Sequence, residues 1–110
     1  MTEEKPKRAK KEEKATKKVQ VSDNAVFIGQ KPVMNYVIAC LTLFNAGSPK
    51  VVVKARGRAI SRAVDTVELL RRAFVKGAQP NEIAIGTVEL ARGDGQKANV
   101  STIEITVAKA

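Results

Sequence analysis

The sequence has no histidine, no tryptophan and a single cysteine. Metal catalysis therefore loses its usual ligands, and Cys40 alone can form neither an intramolecular disulfide nor a multi-cysteine metal site. General acid–base chemistry needs a histidine or two carboxylates held in one site. The acids beyond residue 18 are instead scattered, at Asp23, Asp65, Glu68, Glu82, Glu89, Asp94 and Glu104. Cys40 follows Tyr36 by one helical turn and has no histidine to activate it, so it reads as a packing thiol. No catalytic residue, metal or cofactor is expected. A small enzyme acting on a polyanionic substrate remains the alternative of a different class, and it requires turnover at catalytic protein levels.

Long apolar runs are missing too. No stretch approaches the ~20 consecutive apolar residues of a spanning helix, and residues 1–18 lack the apolar centre of a signal peptide. The expectation is an intracellular, cytoplasmic protein without a membrane partner. Aromatics make up 4% of the chain, as Phe27, Phe44, Phe74 and Tyr36. Base-stacking surfaces commonly use exposed aromatics. Phe27 and Phe44 read as core, so sequence-specific stacking is not strongly encoded; Phe74 is compatible with either core or surface.

Positive charge is abundant. Twenty Lys and Arg against eleven Asp and Glu give a net charge of +9 over 110 residues, which favours polyanions through counterion release and long-range steering. Residues 1–18 carry eight bases and four acids and nothing larger than Met1 to bury. Such a segment does not offset its ordering entropy, so it reads as a disordered tail. It serves as a solubility extension or a nucleic-acid arm, and its interspersed glutamates weaken the second reading. Residues 19–110 form one domain, itself net positive.

Within that domain Ala25–Ile28 is a short apolar run, read as a strand. Pro32 suits a first helical position, and Val33, Tyr36, Val37, Cys40, Leu41 and Phe44 recur at helical spacing before Gly47-Ser48-Pro49, predicting a helix over about 32–46. Val51–Val53, β-branched and flanked by lysines, predicts a central strand. Ile60, Ala63, Val64, Val67, Leu70 and Phe74 trace one face of a second helix that stops at Gly77, and Glu68 is spaced to pair with Arg72. Residues 83–90 and 100–107 read as a hairpin whose long basic tip, 91–97, contains an Asp-Gly turn signal. The order βαβαββ implies an α/β two-layer sandwich, with a four-stranded mixed sheet covered on one face by two helices. The alternation of Ile103, Ile105 and Val107 suggests more apolar surface than one such layer covers, for which dimerisation is a natural remedy.

Lys54, Arg56, Arg58 and Arg62 fall within nine positions, where the central strand gives way to the second helix. Strand alternation puts Lys54, Arg56 and, if the strand continues, Arg58 on one side, and Gly57 permits close approach of a ligand. Arg58 and Arg62, one helical turn apart, repel unless an anion lies between them, and free backbone N–H groups at a helix start suit phosphate. The bland reading is a patch of solvated charges. Gly29-Gln30-Lys31-Pro32 leads into the first helix at the same end of the sheet, where open α/β sheets generally bind ligands. It lacks a phosphate-loop signature and so favours a polymer over a mononucleotide. Arg92 and Lys97 mark a flexible arm or a solubilising turn.

The segments Phe27-Ile28-Gly29-Gln30-Lys31-Pro32-Val33-Met34-Asn35-Tyr36-Val37, Val53–Asp65 around Arg56-Gly57-Arg58, and Val100-Ser101-Thr102-Ile103-Glu104-Ile105 closely resemble the Alba family of archaeal chromatin proteins over about residues 22–109. The resemblance implies a fold similar to the C-terminal domain of translation initiation factor three. It further implies a homodimer, or pairing with a paralogue, that binds double-stranded DNA and RNA on the chromosome with little sequence preference. Lys31 then looks like the second of the family's paired lysines, Arg56 and Arg58 like its phosphate-contacting arginines, and residues 92–97 like its minor-groove arm. Phe74 matches an aromatic of contacts between neighbouring dimers. Gln30 departs from the pattern. Where relatives often carry a lysine whose acetylation is associated with weaker DNA binding, glutamine removes both the charge and that control. The same basic surface would also suit an RNA-metabolism protein or a subunit of an RNA-processing particle.

Overall fold

The computed structural model describes residues 19–109; the segment read as a tail, 1–18, lies outside the described residues. The elements in chain order are β1 (Gln20–Ser22), β2 (Ala25–Phe27), α1 (Val33–Asn45), β3 (Lys50–Arg56), α2 (Ala59–Leu69), β4 (Gln79–Ala91) and β5 (Lys97–Ala108). The α/β two-layer arrangement matches the expectation, with one strand more than the four expected. A five-stranded sheet runs in the order β1-β2-β3-β5-β4. The extra strand, β1, turns back on β2 through Asp23 and Asn24 and pairs Val21 with Val26. Asp23 takes a positive φ of 55°, which aspartate tolerates better than most residues. Three residues, all exposed, carry no periodic signal, and this is why β1 was not legible.

β2 and β3 are parallel, with Val26 beside Val53 and Phe27 beside Lys54, while β5 runs antiparallel to both β3 and β4. Alternation along β3 sends Val51, Val53 and Ala55 into the core and Val52, Lys54 and Arg56 to the opposite face. The core-facing side meets Tyr36, Val37, Cys40 and Phe44 of α1 and Ala63 and Val67 of α2, with Ile105 and Val107 completing it from β5. Each large apolar side chain buried here contributes roughly 1.5–3 kcal/mol relative to exposure. This layer holds the ends of β2 and β3 rigid.

Several expectations change in detail. Phe27 is not core: it is 38% exposed, because its neighbours Val26 and Ile28 take the buried side of an alternating strand. Ile105 and Val107 are buried and Ile103 partly so. The uncovered apolar surface is instead on β4, where Ile83 and Ile85 are 58% and 82% exposed. They lie opposite Ile105 and Ile103 on the helix side of the sheet, beyond the reach of the two helices. Helix α2 ends in a widened π turn over Leu70–Phe74, closed by the Val75 N–H donating to the Leu70 carbonyl at 2.7 Å. The extra residue in that turn rotates Phe74 off the buried stripe and leaves it exposed. Glu68 pairs with Arg71 at 3.3 Å rather than with Arg72.

Candidate nucleic-acid interface

The carboxyl ends of the parallel strands β2 and β3 lead directly into the two helices, and the basic residues gather where they do so. At β3 the strand stops at Arg56. Gly57 adopts a left-handed φ of 59°, which favours glycine, and a Cβ there would also sit 3.4 Å from Val100 Cγ1. The Gly57 N–H donates to the Ser101 carbonyl at 2.8 Å, and its own carbonyl accepts from the Ile60 N–H at 3.2 Å. Arg58 is therefore the N-cap of α2 and does not continue the strand alternation of Lys54 and Arg56. Arg56 and Arg58 are both exposed, on either side of a turn pinned to β5.

The loop from β2 to α1 is held by two side chains. The Tyr36 hydroxyl, on a ring only 2% exposed, accepts hydrogen bonds from the Gly29 and Lys31 N–H groups, each at 2.9 Å. Gly29 lies so close that a Cβ would come within 3.3 Å of that oxygen. From α2, Arg62 Nη1 donates to the Gly29 carbonyl at 2.7 Å. Arg62 thus ties the second junction to the first through one nitrogen of its guanidinium, which leaves its other N–H donors for an anion. Gln30 is exposed and Lys31 half-buried on this fixed loop. Neither α1 nor α2 carries an acid in its first turn, so no carboxylate there offsets the positive helix ends.

Lys31, Gln30, Lys54 and Arg56 line one open groove of about 690 Å³, together with Phe27, Thr102 and Glu104. Lys54 Nζ stands 5.6 Å from the Phe27 ring centroid and 3.8 Å from Glu104 Oε2. Both partners of that ion pair are well exposed, so it is worth ~0–1 kcal/mol and leaves Lys54 able to re-aim. The third basic element stands apart. β4 and β5 stay paired out to Ala91 and Lys97, and a five-residue tip, Arg92–Gln96, closes the hairpin with the Arg92 N–H donating to Gln96 and the Gly95 N–H to Arg92. Asp94 accepts from the Gln96 N–H at 3.0 Å. Lys97 approaches Glu89 at 3.9 Å across the strands. Arg92 and Lys97 are exposed, on an arm with little packing at its end.

Cys40 is fully buried on α1, and burial pushes its thiol from 9.0 up to about 12; a thiol so held is protonated and unreactive at neutral pH. Among the described residues, no group of three or more His, Cys, Asp or Glu side chains is arranged to hold a metal ion, and no helix is long and apolar enough to cross a membrane. Tyr36 and the exposure of Phe27 escaped the sequence reading. The first had an available signal, since a tyrosine on a buried stripe must find a partner for its hydroxyl. The second did not, because a four-residue apolar run conceals its alternation.

These features define an α/β module whose basic side chains gather at the carboxyl ends of its parallel strands. The Alba family model matches residues 24–87. The chain belongs to the Alba family. It is 57% identical over 83 residues to the DNA/RNA-binding protein Alba of Methanocella arvoryzae, covering 76% of this chain and 86% of that protein. It is 52% identical over 89 residues to the DNA/RNA-binding protein Alba 1 of Archaeoglobus fulgidus, covering 81% and 99%. Among solved structures, Alba from Thermoplasma volcanium superposes with a TM-score of 0.74 at 45% identity, covering 78% of this chain and all of that one. ALBA1 from Trypanosoma brucei superposes with a TM-score of 0.65 at 28% identity, covering 83% and 73%.

Proposed function

We propose that this protein is a dimeric, non-catalytic chromatin protein. It binds double-stranded DNA, and also RNA, by its phosphate backbone and coats the chromosome with little sequence preference. The observation that carries this reading is that Lys31, Arg56 and Lys54 line one groove at the carboxyl ends of β2 and β3, with Arg58 at the adjoining helix start. Cations on rigid elements, next to helix N-termini free of acids, suit phosphates. The relatives named for DNA and RNA binding support both ligands. The dimer is supported by Ile83 and Ile85 on the edge strand β4, an apolar surface that a second copy or a paralogue would cover. Two copies then present two groove sites and two arms.

The test is a salt series. Unrelated duplexes of equal length should bind with similar affinity and weaken together as salt rises, with log affinity linear in log salt. Arg56→Ala combined with Arg58→Ala should weaken all of them about equally and lower the salt slope by about 2 per protomer, with the thermal melt unchanged. A strong preference for one short sequence at physiological salt contradicts the proposal, as does unchanged binding by the double variant.

A further inference from the structure

We propose that the open sheet face beside the phosphate-binding junction receives an unpaired nucleobase stacked on Phe27, so that the protein captures single-stranded nucleic acid by a contact it does not make with a duplex. This rests on the phosphate-binding reading above and extends it to a second mode of engagement. The starting point is an anomaly of burial. Phe44 and Tyr36 are 3% and 2% exposed, as aromatics in a small core should be, whereas Phe27 on the short parallel strand β2 is 38% exposed. Its register partner is Lys54, and both face away from the helices because Val26 and Val53 beside them fill the core. A large ring held on the solvent side of a rigid strand is a stacking platform of the sort single-strand binders use, since every base has a π face to offer.

The surroundings suit a nucleotide better than an apolar ligand. Phe27 lines the groove together with Lys31, Lys54 and Arg56, which supply cations for the phosphates on either side of a stacked base. Gln30 and Thr102 add both donors and acceptors for a base edge, with Glu104 as a further acceptor. Glutamine at Gln30 matters here, because its amide can accept as well as donate where a lysine only donates. The ammonium of Lys54 now lies 5.6 Å from the ring centroid. An exposed cation–π contact is weaker than base–aromatic stacking, so an arriving base displaces the ammonium, which stays within reach of the adjacent phosphate. In a duplex the bases are stacked on one another and the ring finds no partner.

The experiment uses the full chain with single-stranded RNA and DNA oligonucleotides carrying 2-aminopurine, and the fully paired duplex of the same sequence. Stacking on Phe27 quenches 2-aminopurine fluorescence, so binding of the single strands should be accompanied by quenching. Phe27→Leu should abolish the quenching and weaken single-strand binding roughly tenfold, a loss several times larger than its effect on the duplex. Phe27→Trp should restore both. Thermal melts of the two variants verify folding. Undiminished single-strand binding and quenching by Phe27→Leu overturns the proposal, and so does an equal loss for single strand and duplex. Each of these leaves the phosphate-binding reading intact if Arg56→Ala with Arg58→Ala still weakens every ligand; wild-type protein that binds neither duplex nor single strand overturns that reading and this one together.

Discussion

Tyr36→Phe keeps the buried ring and removes the one oxygen that accepts from both Gly29 and Lys31. Two partly buried N–H groups lose their partner, which costs about 2 kcal/mol, so the thermal midpoint should fall by several degrees. Nucleic-acid affinity should fall modestly as well, because Lys31 is no longer held in place; a melt and a binding isotherm on the same preparation check both. Cys40 makes a prediction of the opposite kind, visible only in alkali. Its folded value of about 12 lies above the ordinary 9.0, so the folded chain keeps a proton that the unfolded chain releases. Its contribution is complete below about pH 9 and declines as pH rises toward about 12, by at most about 1.4 kcal/mol per pH unit. Cys40→Ala should therefore show a shallower loss of stability between about pH 8 and pH 10.5 in denaturant titrations, whatever its cost at neutral pH.

Among the elements, the hairpin and α2 separate what periodicity reveals from what it conceals. α2 was legible because Ala63, Val67 and Leu70 are all buried at helical spacing. The same spacing put Val64 on that stripe, where it is 42% exposed, and left Phe74 open between core and surface, since nothing in the residues announces the π turn in which it sits. The strands of the hairpin were legible by composition, yet their length was not. Pairing continues through Ala91 and Lys97 in residues that bury almost nothing, so no hydrophobic pattern marks the ends. At the site, Lys31, Arg56 and Arg58 could be found by charge and position at strand ends, whereas the hydrogen bond from Arg62 to Gly29 spans 33 residues and depends on packing that no local rule supplies. Two predictions belong to this scale. Arg92→Ala with Lys97→Ala should lower duplex affinity and salt slope without altering the melt, measured by fluorescence anisotropy. On the proposed dimeric coating, Phe74→Ala should leave pairing intact and reduce the cooperativity of binding, seen as a less steep isotherm on DNA many sites long.

For the whole molecule, the determining feature is that two helices cover only part of a five-stranded sheet. The order of strands puts β4 at the edge, and Ile83 and Ile85 project there on the helix side without a layer above them. Ile85→Asp should yield a monomer by light scattering and a weaker ligand for long DNA, since paired arms and grooves are then lost together. On the proposed pairing, the incomplete layer also makes folding answer to abundance. A partner that binds only the folded chain stabilises it by mass action, so the melting temperature should climb with protein concentration. Scarce chains are left with their edge strand open to wrong company, and the protein is most durable where it is most plentiful.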